Sequence, residues 1–189
     1  MEQFLIGKLG PEQGGKLAAL TAQRLEVLRS QVHKPSKQQE KVLKNTLLPR
    51  IALYQVLQEQ GFAQPDAYAL LEQNMVECCA PPMRKNYEKL DRLPFAFGAF
   101  RFGFTRIVAS SDLWQADIDN TQKNSFTVTM RKCFWHDTFT EYGCPELCGQ
   151  ACHCDDLTYS DLHHIGYHRT QTLGTGGSCC DFRFEKIHR

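Results

Sequence analysis

Seven of the nine cysteines fall between Cys133 and Cys180, interleaved with His136, His153, Asp155 and Asp156. Thiols, imidazoles and carboxylates at this density either build a reactive pocket or hold a metal. Cys144, Cys148 and Cys152 recur every four residues and are followed by Asp155 and Asp156, a spacing that on a helix gives one face. Cys144 and Cys148 read as small core hydrophobes, because free cysteine is among the most buried residue types. Cys152 with Asp155 reads differently: an acid one turn beyond a buried thiol is costly to bury unless it has a partner or a task. Cys133 stands where a strand gives way to a helical turn, three residues before His136, and a helix N-terminus beside an imidazole lowers a thiol pKa towards a usable thiolate.

The spacing argues against a dedicated zinc knuckle. There is no pair of CxxC motifs and no His-x3-His, and the ligand types in Cys152-His153-Cys154 point to different sides of a helix. A composite site drawing Cys133, Cys152 and Cys180 from separate elements stays open, so a divalent metal such as zinc is compatible with the sequence although nothing in it requires a cofactor. His163, His164 and His168 read as solvated or hydrogen-bonding residues. The run Gly174 to Gly177 lacks the Lys-Ser/Thr partner of a phosphate cradle and reads as a turn.

The elements that must position these groups change character along the chain. Helical spacing predicts one helix over about Lys16 to Gln31, then a polar break at 33–39. A second is predicted from about Gln38 to Gln60, kinked or split at Pro49, and a third opens at Pro65 or Asp66 and ends at Pro81 and Pro82. Phe95, Phe97, Phe100, Phe102 and Phe104 mark an element buried under a sheet or walling a pocket. From Trp114 the period becomes two, with Phe126, Val128 and Met130 on one face and the polar 119–124 as a hairpin turn. A second hairpin is predicted from His164 to Leu173 and Cys179 to Ile187. In it Cys180, Phe182 and Phe184 face inward, and Arg169 shares a strand face with Ile165, Tyr167 and Leu173. Between the hairpins, Pro145 to about His163 is helical. Helices, hairpin, helix, hairpin make an α+β fold, N-terminal helices on an antiparallel sheet, and 189 residues suit a single domain with a mainly helical half, 1–93, and a cysteine-rich sheet-forming half, 94–189.

A net charge of +1, from 22 basic and 21 acidic residues, gives no electrostatic footprint for nucleic acid or an anionic membrane. A small-molecule substrate is the expected partner, and a homo-oligomer is compatible with the sequence. The N-terminal run lacks the regions of a signal peptide and no apolar stretch approaches a membrane span. With an odd number of cysteines, the expectation is reduced thiols in the cytoplasm.

From Cys133 to Phe184 the pattern resembles the L-2-amino-thiazoline-4-carboxylic acid hydrolase family. It has a leading Cys133, then Gly-x-Pro-Glu-Leu at Gly143 to Leu147, Cys-x-x-Asp at Cys152 to Asp155, and Arg169, Thr172, Leu173, Gly176, Cys180, Asp181, Phe182 and Phe184 in order. The last strand is similar also to 4-vinyl reductase ligand-binding domains, which leaves a non-catalytic small-molecule or metal-binding and sensing domain as the alternative. The cysteines at 144, 148, 154 and 179 depart from the family pattern. The hydrolase resemblance implies opening of a thiazoline carboxylate, a cyclic amidine, to an N-carbamoyl cysteine. Such a reaction needs a thiolate or water at the carbon between sulfur and nitrogen, a proton for the leaving atom and a cation for the carboxylate. The candidates are Cys133, Cys152, Cys180, Asp155 and His136 for the chemistry, with Asp155 as base, and Arg169 with Thr172 for binding the substrate.

Overall fold

Prolines set the rhythm of the helical part. Pro49 has no N–H to give to the preceding turn, and the predicted helix accordingly divides into α3 (Lys37–Val42), a widened π turn (Leu43–Leu47) and α4 (Leu48–Glu59). The same device recurs with a different outcome at Pro81 and Pro82. After α5 (Gln64–Asn74) a π turn (Met75–Cys79) leads straight into α6 (Ala80–Asp91), whose first turn holds both prolines. The expected stop is therefore a restart, because a missing N–H costs nothing in a first turn. The structure is a computed structural model that describes residues 1–33 and 36–187. Of the polar break at 33–39, Lys34 and Pro35 lie outside the described residues.

The chain forms two compact units, Met1–Asn74 and Met75–Arg189. The first consists of α1 (Glu2–Leu9), α2 (Pro11–Ser30) and α3 to α5, with α1 on α2, α2 on α4 and α4 on α5. Leu5, Leu17, Leu47, Ile51, Leu57 and Leu71 are buried in it. Gly14 lets α2 approach α1, since a Cβ there would stand 2.5 Å from the Leu5 carbonyl oxygen.

The second unit carries the sheet. Following α6 come α7 (Ala96–Ser110), β1 (Trp114–Asp119), β2 (Ser125–Cys133), α8 (Phe134–Glu141), α9 (Leu147–Tyr159), β3 (Ile165–His168) and β4 (Cys180–Lys186). The strands lie in the order β1-β2-β4-β3, all pairs antiparallel, so two hairpins meet at their inner strands. Phe126 sits opposite Phe184, Val128 opposite Phe182 and Met130 opposite Cys180. This is the inward face expected from the alternation, and all six are buried. The phenylalanine run forms α7, whose Phe97 and Phe100 are buried against that face, whereas Phe95 and Phe102 turn outward. Trp114 and Trp135 stack in parallel, ring centroids 5.7 Å apart. The fold is α+β. Among the described residues no helix is long and apolar enough to cross a membrane.

Candidate active site

Cys133 owes its direction to a fault in the sheet. Along β2, Cys133 lies opposite Trp114 and Lys132 opposite Gln115, but Ala116 pairs with Met130, so Arg131 is an extra residue on its strand. One extra residue reverses the alternation beyond it. Without the bulge Cys133 would point away from Met130; with it, Cys133 shares the face of Trp114, Met130 and Cys180. It is also the N-cap of α8. Its sulfur makes no full capping hydrogen bond there, yet the main-chain amides of Trp135 and His136 lie near enough to favour the thiolate.

The other sulfurs come from α9 and β4. Cys148 and Cys152, one helical turn apart, face the loop between β3 and β4, where the 3-10 turn Leu173–Thr175 closes over them. Gly174 makes that approach: a Cβ there would stand 2.9 Å from both Sγ atoms and from the Cys148 carbonyl carbon. The thiols act on one another in a row, Cys133 with Cys148, Cys148 with Cys152 and Cys152 with Cys180. Cys180 is itself oriented by the Leu173 amide, which donates to its Sγ at 3.3 Å.

Charge is distributed unevenly along this row. Cys152 accepts from the Cys148 and Cys180 thiols and from the Thr172 hydroxyl, and Arg169 stands nearby. These donors outweigh burial and lower its pKa, while Cys148 and Cys180 are raised because they keep their protons to donate. Cys133 is lowered chiefly by Cys148. Cys148 has a single proton and two acceptors, Cys133 on one side and Cys152 on the other. Cys152 and Cys133 are half-buried, whereas Cys148 and Cys180 are buried.

Arg169 closes the site from behind. Strand β3 ends at His168, so Arg169 is not the strand-face residue that alternation suggested. It has turned inward and only 5 % of its side chain is exposed. Its Nη2 donates to the Cys152 carbonyl at 2.8 Å and to Asp156 Oδ1 at 2.6 Å, and its Cζ lies 5.3 Å from the Phe182 ring centre. Tyr167 donates its hydroxyl to the same Asp156 oxygen at 2.9 Å. Nη1 is buried without a hydrogen bond and faces Asp155 Oδ2 at 3.6 Å. Asp155 keeps 32 % of its side chain exposed. Crowding by protein nevertheless raises its carboxyl to about 8: the loss of solvent exceeds the pull of Arg169, and negative charge on Cys152 and Cys133 adds to the rise.

Cys133, Cys152, Asp155, Cys180, Arg169 and Thr172 thus lie together. His136 takes part through its main-chain amide; its ring pairs at the surface with Asp137, Nδ1 to Oδ1 3.3 Å. The acids of the facing strand, Asp181 and Glu185, are engaged elsewhere. Asp181 accepts from the Thr170 and Gln171 amides at 2.9 Å each, anchoring the loop, and Glu185 pairs with His168. Two participants lay outside the candidates read from sequence, Cys148 and Gly174. The four-residue recurrence pointed to Cys148, and nothing local marked Gly174. Cys144 is the core thiol it was expected to be, raised by burial to about 12.

Among the described residues no three His, Cys, Asp or Glu side chains are arranged to hold a metal ion.

A family model, L-2-amino-thiazoline-4-carboxylic acid hydrolase, matches residues 39–184. The chain belongs to this family. Every residue of the site lies inside the matched span, and the thiol row is thus part of a member of the L-2-amino-thiazoline-4-carboxylic acid hydrolase family. No curated protein sequence matches the chain. Among solved structures, the Fe(II) unliganded H-NOX protein from K. algicida is similar at 12 % identity over 100 % of this chain and 93 % of that one, with a TM-score of 0.26, too low to bear on fold or site.

Proposed function

We propose that the site opens a small cyclic amidine carboxylate of the 2-amino-thiazoline-4-carboxylate type to an N-carbamoyl cysteine, with Cys152 as the nucleophile. The observation that carries this reading is the placing of Cys152. It is half-buried and not fully enclosed, while three donors and a guanidinium lower the pKa of its thiol. Family membership supports a hydrolase, and the reaction supplies a task for each remaining group.

The Cys152 thiolate attacks the carbon between ring sulfur and nitrogen. The bond from that carbon to the ring sulfur then breaks, and the departing sulfur takes the Asp155 proton. This leaves an isothiourea on Cys152. Asp155, now a carboxylate, takes a proton from water as the water adds to the same carbon; the bond to Cys152 breaks, releasing the urea and restoring the thiolate. Asp155 therefore acts first as acid, consistent with its raised pKa, and as base only in the second half. A thiolate with a lowered pKa beside a carboxyl with a raised one is the separation that assigns such roles. While Asp155 is protonated, Arg169 is offset by Asp156 alone, and its buried Nη1, which has no hydrogen-bond partner, is the donor that a substrate carboxylate entering beside Asp155 would satisfy.

The test is thiol release from 2-amino-thiazoline-4-carboxylate, read with a chromogenic thiol reagent after the protein, with its own cysteines, is removed. The expected result is catalytic release; binding without release would replace the hydrolase reading by that of a binding domain. Comparing the acid with its amide for wild type and Arg169→Lys tests the arginine. Carboxylate recognition predicts that the variant loses the preference for the acid, and equal losses on both forms would leave Arg169 a structural role only.

A further inference from the structure

The thiol row contains more sulfur than one nucleophile needs. Hydrolysis uses the Cys152 thiolate and needs donors around it, but a donor need not itself be a thiol, and Cys180 is one brought in from a different element. A half-buried thiolate, with a hydroxyl, a guanidinium and a thiol of another element beside it, is the arrangement in which a sulfur is oxidised and then resolved.

We infer that Cys152 is an oxidative modification site: hydrogen peroxide converts its thiolate to a sulfenic acid, and Cys180 condenses with that group to form a disulfide joining α9 to β4. In the first step the Cys152 sulfur attacks a peroxide oxygen, the O–O bond breaks, and the departing hydroxide takes a proton from solvent to leave as water. Sulfur is oxidised by two electrons and peroxide is reduced by two. In the second, the Cys180 sulfur attacks the Cys152 sulfur, the S–O bond breaks, and hydroxide leaves with the Cys180 proton as a second water. An added dithiol reverses the link by exchange.

Geometry selects Cys180 over the other neighbours. Cys148 lies on the same helix four residues away, where Cβ atoms stand roughly 5–6 Å apart, too far for the roughly 3.5–4.5 Å of a disulfide unless the helix breaks. Cys133 interacts chiefly with Cys148, and Cys152 acts on it through charge and not through a hydrogen bond. Cys180 comes from the opposing strand, and both sulfurs meet the same turn: the Leu173 amide donates to Cys180 Sγ at 3.3 Å, and Cys152 Sγ lies 2.9 Å from where a Cβ on the next residue, Gly174, would stand. Cys78, the exposed thiol of the chain, serves as internal control, being more accessible and outside the row.

The experiment treats the reduced full-length chain with equimolar hydrogen peroxide and maps thiols by differential alkylation and peptide mass spectrometry, with dimedone as the sulfenic acid trap. The expected result is a Cys152–Cys180 linked peptide two hydrogens lighter than the reduced pair, formed faster than any oxidation at Cys78. In Cys180→Ser a dimedone adduct on Cys152 should replace the link. Preferential oxidation at Cys78, a link through Cys148, or no oxidation at Cys152 would overturn the proposal. Should Cys180→Ser lose its fold by circular dichroism, Thr172→Val removes one donor to the thiolate and should slow the reaction about tenfold; an unchanged rate would equally overturn it. The proposal shares its thiolate with the hydrolase reading, but it is scored on the protein without substrate. A chain that oxidises as stated yet releases no thiol from the thiazoline would sink the hydrolase reading and leave this one standing.

Discussion

Cys152 and Cys154 are two residues apart on α9 and occupy different chemical worlds. At about 100° per residue they look to opposite sides of the helix. Cys152 meets two thiols, a hydroxyl and a guanidinium. Cys154 is buried with Met75 and Ala80, packed by Cys79 and Leu157, its Sγ 3.8 Å from Met83 Sδ. One face of α9 collects hydrogen-bond donors; the other collects methylene and thioether surface. The residue type is shared, so the difference in reactivity comes wholly from what the neighbouring elements bring, a loop and two strand ends on one side and a helix on the other.

The sharpest way to break this contrast is to delete each sulfur. Cys152→Ala should reduce thiazoline turnover to background, on the order of 10⁴-fold or more, with the fold kept. Cys154→Ala should leave turnover near wild type and cost about 1 kcal/mol of stability, read from urea midpoints. Equal effects on turnover would erase the distinction between the faces.

Asp155→Asn tests the reactive face by proton balance, with an expected loss of roughly 10²–10⁴ in rate. The wild-type rate should fall as pH rises through about 8, where Asp155 loses its proton. The same group affects stability. Folded, it holds its proton to about pH 8; unfolded, it releases it near its ordinary 3.8. Between these values the folded state binds one more proton, so the contribution is fully present below the lower value and declines as pH rises through the window. Denaturation of wild type and Asp155→Asn between pH 4 and 9 should show that slope in the first and its absence in the second.

Gly174→Ala presses on the reactive face from outside. Its Cβ would meet two sulfurs and backbone at 2.9 Å, and backbone cannot swing aside, so a cost of about 1–3 kcal/mol is expected. Gly98→Ala is the control with the smallest effect. It lies on α7 with nothing within 4 Å of the new Cβ, and should gain about 0.5–1 kcal/mol. Urea midpoints moving the same way in both variants would show that Gly174 is not a contact.

What could be read from the sequence divides along similar lines. The inward face of Phe126, Val128 and Met130, and that of Cys180, Phe182 and Phe184, followed from alternation because burial on a pleated strand is a local rule. Pro49 announced the split in its helix, though not the π turn at the split, whereas Pro81 and Pro82 were misread because a proline ending one helix and one opening the next look alike until the first turn is placed. Arg169 was assigned to a strand that had already ended, and only the inward turn of the loop gives it Asp155 and Asp156. Cys148 looked like packing because nothing local distinguishes a buried thiol in a hydrogen-bonded row from one among hydrocarbons. The bulge at Arg131 that aims Cys133 is likewise a property of two strands in register, with no residue of its own to announce it.

The stacked tryptophans give the molecule an optical handle. Trp114 and Trp135 are both of the indoles in the chain, and Trp114 is the register partner of Cys133 while Trp135 lies two residues beyond it. All tryptophan emission therefore originates at one end of the thiol row, from a stacked ring pair next to Cys133 in register and in sequence. Alkylating Cys133 should therefore change the native fluorescence with no label attached, whereas alkylating the exposed Cys78 should leave it unchanged.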